Sequence, residues 1–265
     1  MPVTDAAAKA RALYEARRTR VPIPPFTDED PTLGMADGYA IQRELVPLLV
    51  ADGDSVVGYK VGLTSKPMQK MVGVDSPDYG PVLASTVYRD GDTVPLDRFI
   101  QPKVEAEIVF VLGERLAGPG VSVTDARRAI AGAAAAMEIV DSRIENWRIK
   151  LADTVADLAS NGAVAISSRL VPLEGLDPRL IGMTVTRNGE LLDTGAGAAA
   201  LGDPVAVVAW LANVLGENGI ALEAGHLVMT GALHAAEPMN PGDVFRAEFD
   251  RLGPVTIRVG AGGNA

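Results

Sequence analysis

Residues 103–113, KVEAEIVFVLG, combine the pattern of a buried β-strand with two carboxylates on one of its faces. Side chains alternate across a strand, so one face of this segment carries only apolar side chains. Glu105 and Glu107 lie together on the other face, which continues as Val109 and Val111. Two carboxylates on a desolvated face repel each other. The segment therefore predicts a core strand whose acidic end is either solvated or balanced by positive charge.

The composition is that of a globular protein with small partners. The 265 residues carry a net charge of −10 and include no cysteine. A phosphate backbone needs a basic surface, so nucleic acid is excluded as a partner and a metal ion or small molecule is favoured. The lack of cysteine excludes disulfides, thiolate nucleophiles and zinc–sulfur sites. With no signal-peptide pattern and no apolar run near the length of a membrane span, we expect a cytoplasmic protein without membrane contact.

Three parts are predicted along the chain. They are an N-terminal helical appendage, a β-rich catalytic domain and a disordered tail, over residues 1–54, 55–260 and 261–265. In the appendage, helices are expected over residues 4–19, with Thr4 and Asp5 as candidate N-caps, and over residues 33–51, where Pro47 weakens the pattern.

Beyond the appendage, short apolar runs alternate with turn residues. Asn188-Gly189 predicts a hairpin. Asp203 and Pro204 are typical of the start of a helix, here expected over residues 203–219. The alanine-rich stretch 124–136 is also predicted to be helical. Further strands are expected at residues 56–63, 107–112, 226–231, 244–249 and 255–259.

A third glutamate, Glu138, also lies in an apolar run, AAMEIVDSR. Three carboxylates in apolar surroundings, in a chain without thiols and with only two histidines, suggest a divalent cation held by oxygen ligands. Mg²⁺ or Mn²⁺ is the favoured ion. Structural ion pairs also place carboxylates on strands, and that alternative stays open.

Lys60 and Asp78 are each open to two interpretations. Lys60 lies among apolar residues between two glycines, where it is either a lysine reaching solvent from a strand end or an ammonium group beside an anionic site. Asp78, in the turn-rich segment DSPDYG, is either a turn former or a functional carboxylate. Arg143 and Ser160 carry no signal by composition. His226 is expected in a solvated turn.

Four motifs, taken in order, resemble the 2-keto-4-pentenoate hydratase and 4-oxalocrotonate decarboxylase family of the fumarylacetoacetate hydrolase superfamily. They are GYKVGLTSKPMQKMVGVDSPDYGPVLAS from residue 58, KVEAEIVFVL from 103, MEIVDSRIENWRIKLADTVADLASNG from 137 and GDVFRAEFDRLGPVTIRV from 242. The resemblance implies an α+β fold, in which a β-rich rolled mixed sheet of the fumarylacetoacetate hydrolase C-terminal type carries an N-terminal helical appendage. It also implies a ring-based homo-oligomer.

The resemblance also implies a site. Mg²⁺ or Mn²⁺ would be held by Glu105, Glu107 and Glu138. Lys60 would transfer protons or stabilise an enolate, and Asp78 would orient and deprotonate water. The implied substrate-binding residues are Ser160, Tyr79, Thr64 and Arg143, although a structural pairing of Arg143 with Asp141 and Glu145 is favoured.

The implied reaction is hydration of a 2-hydroxy-2,4-dienoate, of the 2-hydroxypenta-2,4-dienoate type, to a 4-hydroxy-2-oxo acid. Such an enzyme would act in meta-cleavage catabolism of aromatic or steroid-like compounds, and could associate with the downstream aldolase. The alternative is decarboxylation of 2-oxohex-3-enedioate. Asp78 favours hydration, because hydratases of the family tend to carry an aspartate here and decarboxylases an apolar residue.

Two more distant alternatives are a C–C bond hydrolase and a protein with a purely structural cation. The hydrolase would need a histidine near the N-terminal side of the site, and none precedes His226. A structural cation needs neither Lys60 nor Asp78. One departure from the family is Leu158, where relatives usually have asparagine, and this puts substrate choice in question. His234 has no assigned role.

Overall fold

The computed structural model describes residues 5–66, 69–70 and 73–261. Thr4 and the predicted tail residues 262–265 therefore lie outside the described residues. Six α-helices lie with both ends within the described ranges. They are α1 (Ala6–Thr19), α2 (Phe26–Glu29), α3 (Met35–Ala51), α4 (Val123–Ala129), α5 (Leu151–Ala156) and α6 (Pro204–Gly216).

Thirteen strands within these ranges form two mixed sheets. The strands are β1 (Val56–Gly62), β2 (Asp78–Leu83), β3 (Val87–Arg89), β4 (Thr93–Pro95), β5 (Lys103–Leu112), β6 (Ile130–Val140), β7 (Asn161–Ile166), β8 (Gly182–Arg187), β9 (Glu190–Ala196), β10 (Leu227–Met229), β11 (Glu237–Pro238), β12 (Val244–Phe249) and β13 (Gly253–Gly260).

The larger sheet has the order β2-β1-β10-β5-β6-β7-β3, with β11 paired to the start of β5. Its long central pair, β5 and β6, is antiparallel, whereas β1 pairs with β10 in parallel. The smaller sheet has the order β4-β13-β12-β8-β9. The predicted β-rich α+β fold with N-terminal helices is confirmed, and its β structure is divided between two sheets.

The hairpin predicted at Asn188-Gly189 joins β8 to β9. Both turn residues have positive φ, 55° and 85°, as a two-residue type I′ turn requires. Asn188 also ties the hairpin to β12, because its side-chain carbonyl accepts a hydrogen bond from the Val244 N–H at 2.8 Å.

The predicted helix over residues 124–136 is wrong in its second half. Helix α4 ends at Ala129, and the chain continues directly into β6. Strand β6 pairs on one side with β5 and on the other with β7, and its alanines are almost all buried. Tertiary pairing therefore overrides the helix preference of alanine, and small side chains suit a strand that is covered on both faces.

The stretch Gly197–Gly216 has the length and apolar composition of a membrane span, which the sequence reading did not anticipate. Its α-helical part is only α6, 13 residues long and capped by the Asp203 side chain. A helix that crosses a bilayer needs about 20 residues. Eight residues of α6 are buried against the rest of the protein, so we interpret it as a core helix.

The N-terminal helices share a small core with the β-rich part of the chain. Leu13 and Ile41 belong to the same buried cluster as Leu83 and Leu158. Gln42 of α3 donates hydrogen bonds to the carbonyls of Tyr79 in β2 and Val155 in α5, at 3.1 and 2.8 Å. These contacts fix α5 and the start of β2, the two elements that border the site described next.

Candidate metal centre and active-site cavity

The register of β5 and β6 brings three glutamates together. Glu105 lies directly opposite Glu138 in the pairing, and Glu107 follows two residues later on the same face. Facing residues in an antiparallel pair are near neighbours, and carboxylate oxygens of the three residues all lie within 4.8 Å of one another. Glu107 and Glu138 are at most 1% exposed. Two of the three carboxylates are therefore shielded from solvent, and Glu105 is partly buried.

Hydrogen bonds satisfy only part of this cluster. Glu107 Oε2 accepts from the Gly231 N–H at 2.9 Å, and Glu138 Oε1 accepts from Asn161 Nδ2 at 2.8 Å. The nearest positive charge is Lys60 Nζ, 3.4 Å from Glu138 Oε2. Among the described residues, Glu107 Oε1 and Glu138 Oε2 have no hydrogen-bond partner. The cluster retains unused ligand atoms.

The charges in the cluster do not balance without a cation. Burial, and then the charge of Glu138, raises the pKa of Glu105 to about 7. The same two causes raise the pKa of Glu107 well above its usual range. Three carboxylates with one ammonium neighbour are a donor set that matches a hard divalent cation. The donor set of Glu105, Glu107 and Glu138 thus fits Mg²⁺ or Mn²⁺.

A cavity of about 520 Å³ opens beside the glutamates. Glu105 and Glu107 line it, together with the predicted residues Lys60, Asp78, Thr64 and Ser160. Apolar side chains form much of the remaining wall, with two lysines among them: Val140, Trp147, Ile149, Leu151, Leu233, Lys103 and Lys150. The cavity thus combines an acidic, metal-compatible end with an apolar one, as sites for small organic acids do.

Lys60, on β1, is held as a buried ammonium group. It is 5% exposed, so it does not reach solvent from the strand end. Its Nζ donates to the Ala159 carbonyl at 2.9 Å. Burial alone would lower the pKa of Lys60, but the carboxylates of Glu138 and Asp78 outweigh burial and raise it. Lys60 is therefore a fixed positive charge at the edge of the cavity.

Asp78 is the first residue of β2, not a turn residue. It is 3% exposed and lies opposite Gly62 in the pairing with β1. A Cβ at position 62 would collide with Asp78 Oδ1 and lie 3.3 Å from Lys60 Nζ, so a larger residue there would displace the Asp78 carboxylate. Asp78 Oδ1 has no hydrogen-bond partner among the described residues. Burial, opposed by Lys60, raises the pKa of Asp78, which suits a proton acceptor.

A strained segment and the residue that follows it supply three further groups to the site. Leu158, Ala159 and Ser160 are consecutive buried residues in the left-handed region, with φ of 56°, 51° and 58°. Non-glycine residues adopt this conformation at a cost, and such strain gathers at functional sites. The Ala159 carbonyl holds Lys60, Ser160 Oγ lies 3.0 Å from Thr154 Oγ1 at the cavity wall, and Asn161 holds Glu138.

The structure does not bring Tyr79 into the cavity. Neighbouring residues on a strand face opposite sides, so Tyr79 points away from Asp78 and into the core. Its ring stacks on Tyr39 with a centroid distance of 4.5 Å and meets Trp210 edge-on. This packing gives Tyr79 a place in the core of the fold.

Arg143 is also absent from the cavity lining. Its guanidinium is buried and pairs with Asp157, at 2.5 Å from Nε to Oδ1, and more loosely with Asp141 at 3.7 Å. The favoured partner Glu145 pairs instead with Arg148. The structural interpretation therefore fits the geometry, with Asp157 in place of Glu145.

Two side chains near the glutamates were missed by the sequence reading as site residues. Asn161, 1% exposed, bonds directly to Glu138. The sequence feature that could have identified Asn161 is its position as a polar residue at the start of the apolar run NGAVAI. His234 lines the cavity, and its Nε2 accepts the Ala106 N–H at 2.8 Å, between the two glutamates of β5. No local sequence pattern predicts the contact between His234 and Ala106.

With this geometry established, sequence comparison assigns the family. The profile of the fumarylacetoacetate (FAA) hydrolase C-terminal family matches residues 55–260. The chain belongs to this family. A 2-keto-4-pentenoate hydratase of Paraburkholderia xenovorans (strain LB400) is 42% identical over 246 residues, covering 93% of this chain and 91% of the relative. A 2-hydroxyhexa-2,4-dienoate hydratase of Comamonas testosteroni is 40% identical over 252 residues, 94% and 96% of the two chains.

Among solved structures, the chain is similar to the 4-oxalocrotonate decarboxylase from Pseudomonas putida G7 complexed with magnesium and adipate. The TM-score is 0.93 at 37% sequence identity, and the match covers 96% of this chain and 97% of the decarboxylase. Together these comparisons confirm the resemblance drawn from the motifs. They include both hydratases and a decarboxylase, so the choice between the two reactions depends on the site.

Proposed function

We propose that this protein is a metal-dependent hydratase, a hydro-lyase that adds water to a 2-hydroxy-2,4-dienoate of the 2-hydroxypenta-2,4-dienoate type. The product is a 4-hydroxy-2-oxo acid. The observation that carries the proposal is Asp78, a buried carboxylate in the cavity that Lys60, Glu105 and Glu107 also line. One of its oxygens has no hydrogen-bond partner among the described residues. Relatives about 40% identical over nearly the whole chain are named as hydratases of such acids.

In this proposal, the cation is held by Glu105, Glu107 and Glu138. Bound there, Mg²⁺ or Mn²⁺ would supply Lewis-acid stabilisation of the negative charge that an enolate develops. Lys60 adds a second positive charge beside the substrate and is a candidate proton donor. Because its ammonium is fixed by the Ala159 carbonyl and Glu138, little reorganisation is needed when that negative charge forms.

Asp78 is the proposed general base. Its pKa is raised by burial, which brings the carboxylate closer to the proton affinity that base catalysis at neutral pH requires. It would orient a water molecule and take its proton as the oxygen adds to C4 of the ketonised substrate. Thr64 and Ser160, both in the lining, are the proposed hydrogen-bond partners of the substrate. Tyr79 and Arg143 are proposed to support the fold.

Decarboxylation of 2-oxohex-3-enedioate is the second candidate. It is favoured by the close structural match to a 4-oxalocrotonate decarboxylase, and it needs the same metal and lysine but no activated water. A buried carboxylate at position 78 disfavours decarboxylation, because Asp78 would repel the substrate carboxylate that leaves as CO₂. This repulsion is why we place hydration first.

NMR-monitored incubation with Mg²⁺ separates the two reactions. One sample contains 2-hydroxypenta-2,4-dienoate, and a parallel sample contains 2-oxohex-3-enedioate. We expect 4-hydroxy-2-oxopentanoate in the first and no loss of CO₂ in the second. Decarboxylation in the second sample with an inert first sample would reverse the assignment.

The proposed setting is cytoplasmic catabolism of aromatic or steroid-like compounds. A 4-hydroxy-2-oxo acid is a β-hydroxy ketone, so an aldolase that cleaves between C3 and C4 is the reaction class expected to consume it, and we propose that the two enzymes can associate. We also propose a ring-based homo-oligomer. Light scattering coupled to size-exclusion chromatography would measure its mass, and a monomer would overturn this part.

A further inference from the structure

A second, smaller cleft lies away from the metal centre and is lined by arginines. Its volume is about 140 Å³, and Arg17, Arg20, Arg98 and Arg143 all line it. We call it the arginine cleft. Such a concentration of positive charge stands out in a chain whose net charge is −10. Hydroxyl groups of Ser85, Thr86 and Tyr88 complete the polar lining.

The carboxylate that lines the cleft already has hydrogen-bond and ion-pair partners. Among the described lining residues, Asp141 is the one carboxylate. Its oxygens accept hydrogen bonds from the N–H groups of Ile100 and Gln101, at 2.7–3.2 Å, and it lies 3.7 Å from Arg143. Asp141 therefore has little capacity left for a second arginine.

Three of the four guanidinium groups have no carboxylate partner. Within the described part of the chain, neither Arg17, Arg20 nor Arg98 forms an ion pair. Arg98 donates to the Tyr88 hydroxyl at 3.1 Å. Arg143, at the floor, differs because it is balanced by Asp157. The cleft therefore holds an excess of donors that carry positive charge.

Arg17 is the cleft arginine whose burial is energetically most costly. It is half-buried, and its one side-chain hydrogen bond within the described residues, to the Asn161 carbonyl, is long at 3.5 Å. Burial, followed by repulsion from Arg143, lowers the pKa of Arg17 to about 10. The charges of Asp157, Asp141 and Asp54 offset this lowering only in part. A partly desolvated cation without a direct ion pair is unfavourable, so a bound anion would stabilise this arrangement.

We propose that the arginine cleft binds one small oxyanion, a phosphate or a carboxylate, through the guanidinium groups of Arg17, Arg20 and Arg98. Guanidinium forks match the planar geometry of a carboxylate and the oxygen spacing of a phosphate. A volume of about 140 Å³ is sufficient for one such group. This inference does not depend on the reaction proposed above, because none of the cleft residues lines the metal-binding cavity.

The cleft lies behind the strained segment of the metal centre. The Asn161 carbonyl accepts from Arg17 and Arg143 on the cleft side. The Asn161 side chain donates to Glu138 on the other side. Two residues, Arg17 and Asn161, would therefore separate an anion in the cleft from the proposed metal ligand Glu138.

Isothermal titration of the Mg²⁺-loaded protein with sodium phosphate, at matched ionic strength, tests the site. A parallel titration with sodium acetate compares phosphate with a carboxylate. We expect binding of one phosphate per chain, weakened about tenfold to a hundredfold in Arg17→Gln, as expected for the loss of a hydrogen bond to a charged group. Arg20→Gln changes an exposed residue and should also weaken phosphate binding. This variant keeps the test valid if Arg17→Gln misfolds.

Arg11→Gln is the matched control, since it removes the same charge from the exposed surface of the same helix. It should bind phosphate as the unaltered protein does. Equal phosphate affinity in all the variants would place the anion elsewhere, for instance at the metal centre, and overturn the proposal. So would an absence of phosphate and acetate binding. A fall in oligomer mass in Arg17→Gln would also overturn it, by showing that an acidic group of a second copy fills the cleft.

Discussion

Two clusters of buried charge border the strained segment 158–160, and they are built in opposite ways. On one side, Arg143 is balanced by Asp157 and Asp141 and donates further bonds to the carbonyls of Asp157 and Asn161. Each charged group there has partners within the protein. Arg143 therefore needs no partner from outside the protein, in contrast to its neighbour Arg17 in the arginine cleft.

The glutamate cluster on the other side is unbalanced. Three carboxylates and Asp78 are buried or line the cavity around the ammonium group of Lys60, and oxygens of Glu107, Glu138 and Asp78 lack hydrogen bonds among the described residues. Burial of like charges is unfavourable unless another group compensates for it. The comparison teaches that burial of charge does not itself mark a site. What marks a site is buried charge that lacks a partner within the protein.

The largest effect is expected for Glu107→Gln. Loss of a ligand should lower Mg²⁺-dependent turnover by on the order of 10³-fold or more. The metal-free variant should nevertheless unfold at a higher temperature than the metal-free parent, because a repelling charge is gone. Turnover assays and thermal unfolding in a chelator measure both. Glu114→Gln, a change at an exposed residue just after the end of β5, serves as control. Full activity in Glu107→Gln would remove the metal assignment.

Asp157→Asn should act in the opposite direction on the balanced cluster. It leaves the guanidinium of Arg143 buried with only its looser partner Asp141. Removal of one member of a buried pair costs about 3–5 kcal/mol in the free energy of unfolding, which urea denaturation measures. Asp177→Asn breaks an exposed pair with Arg179 and should cost less than about 1 kcal/mol. Equal effects of the two changes would contradict the distinction between the clusters.

Asp78→Asn separates the two halves of the proposed reaction. Water activation should fall by about 10²–10⁴-fold, the usual contribution of a general base. Exchange of the C5 protons of a ketone that resembles the product should continue, because Lys60 and the glutamates remain. Proton NMR in D₂O follows exchange and hydration in one sample. If hydration survives unchanged, Asp78 has no role as base.

Asn161→Ala tests the smallest contact, the one between the two clusters. Groups that orient a metal ligand contribute about tenfold to a hundredfold to metal affinity, and the amide of Asn161 is the side-chain donor to Glu138. Mn²⁺ affinity should fall by that factor while the fold is kept. The matched change Asn218→Ala, at the exposed end of α6, should leave affinity unaltered. Equal Mn²⁺ affinity in both variants would limit Asn161 to packing.

Periodicity revealed the two glutamates of β5, because alternation places residues 105 and 107 on one face whatever the partners of the strand are. The Asn188-Gly189 hairpin was predictable for a similar reason, since its turn has strict backbone requirements. These are local rules. They were sufficient to predict the β-rich character of the fold and two of the three proposed metal ligands.

Other features depended on contacts between distant segments. The pairing of Glu105 with Glu138 is a register across two strands, and the strand at residues 130–136 arises from pairing on both edges against the helix preference of alanine. Asp157 as the partner of Arg143, and Asn161 as the support of Glu138, follow from the path of the strained segment. Spacing in the sequence does not encode such contacts, so Glu145 was named in place of Asp157.

The central claim is that the unbalanced glutamate cluster holds a divalent cation and the balanced arginine cluster does not need one. Calorimetric titration of chelator-treated protein with Mn²⁺, alongside Glu107→Gln and Asp157→Asn, tests it most directly. We predict one ion per chain for the unaltered protein, loss of that binding in Glu107→Gln, and retention in Asp157→Asn under conditions where it is folded. Equal binding in the unaltered protein and Glu107→Gln would contradict the account.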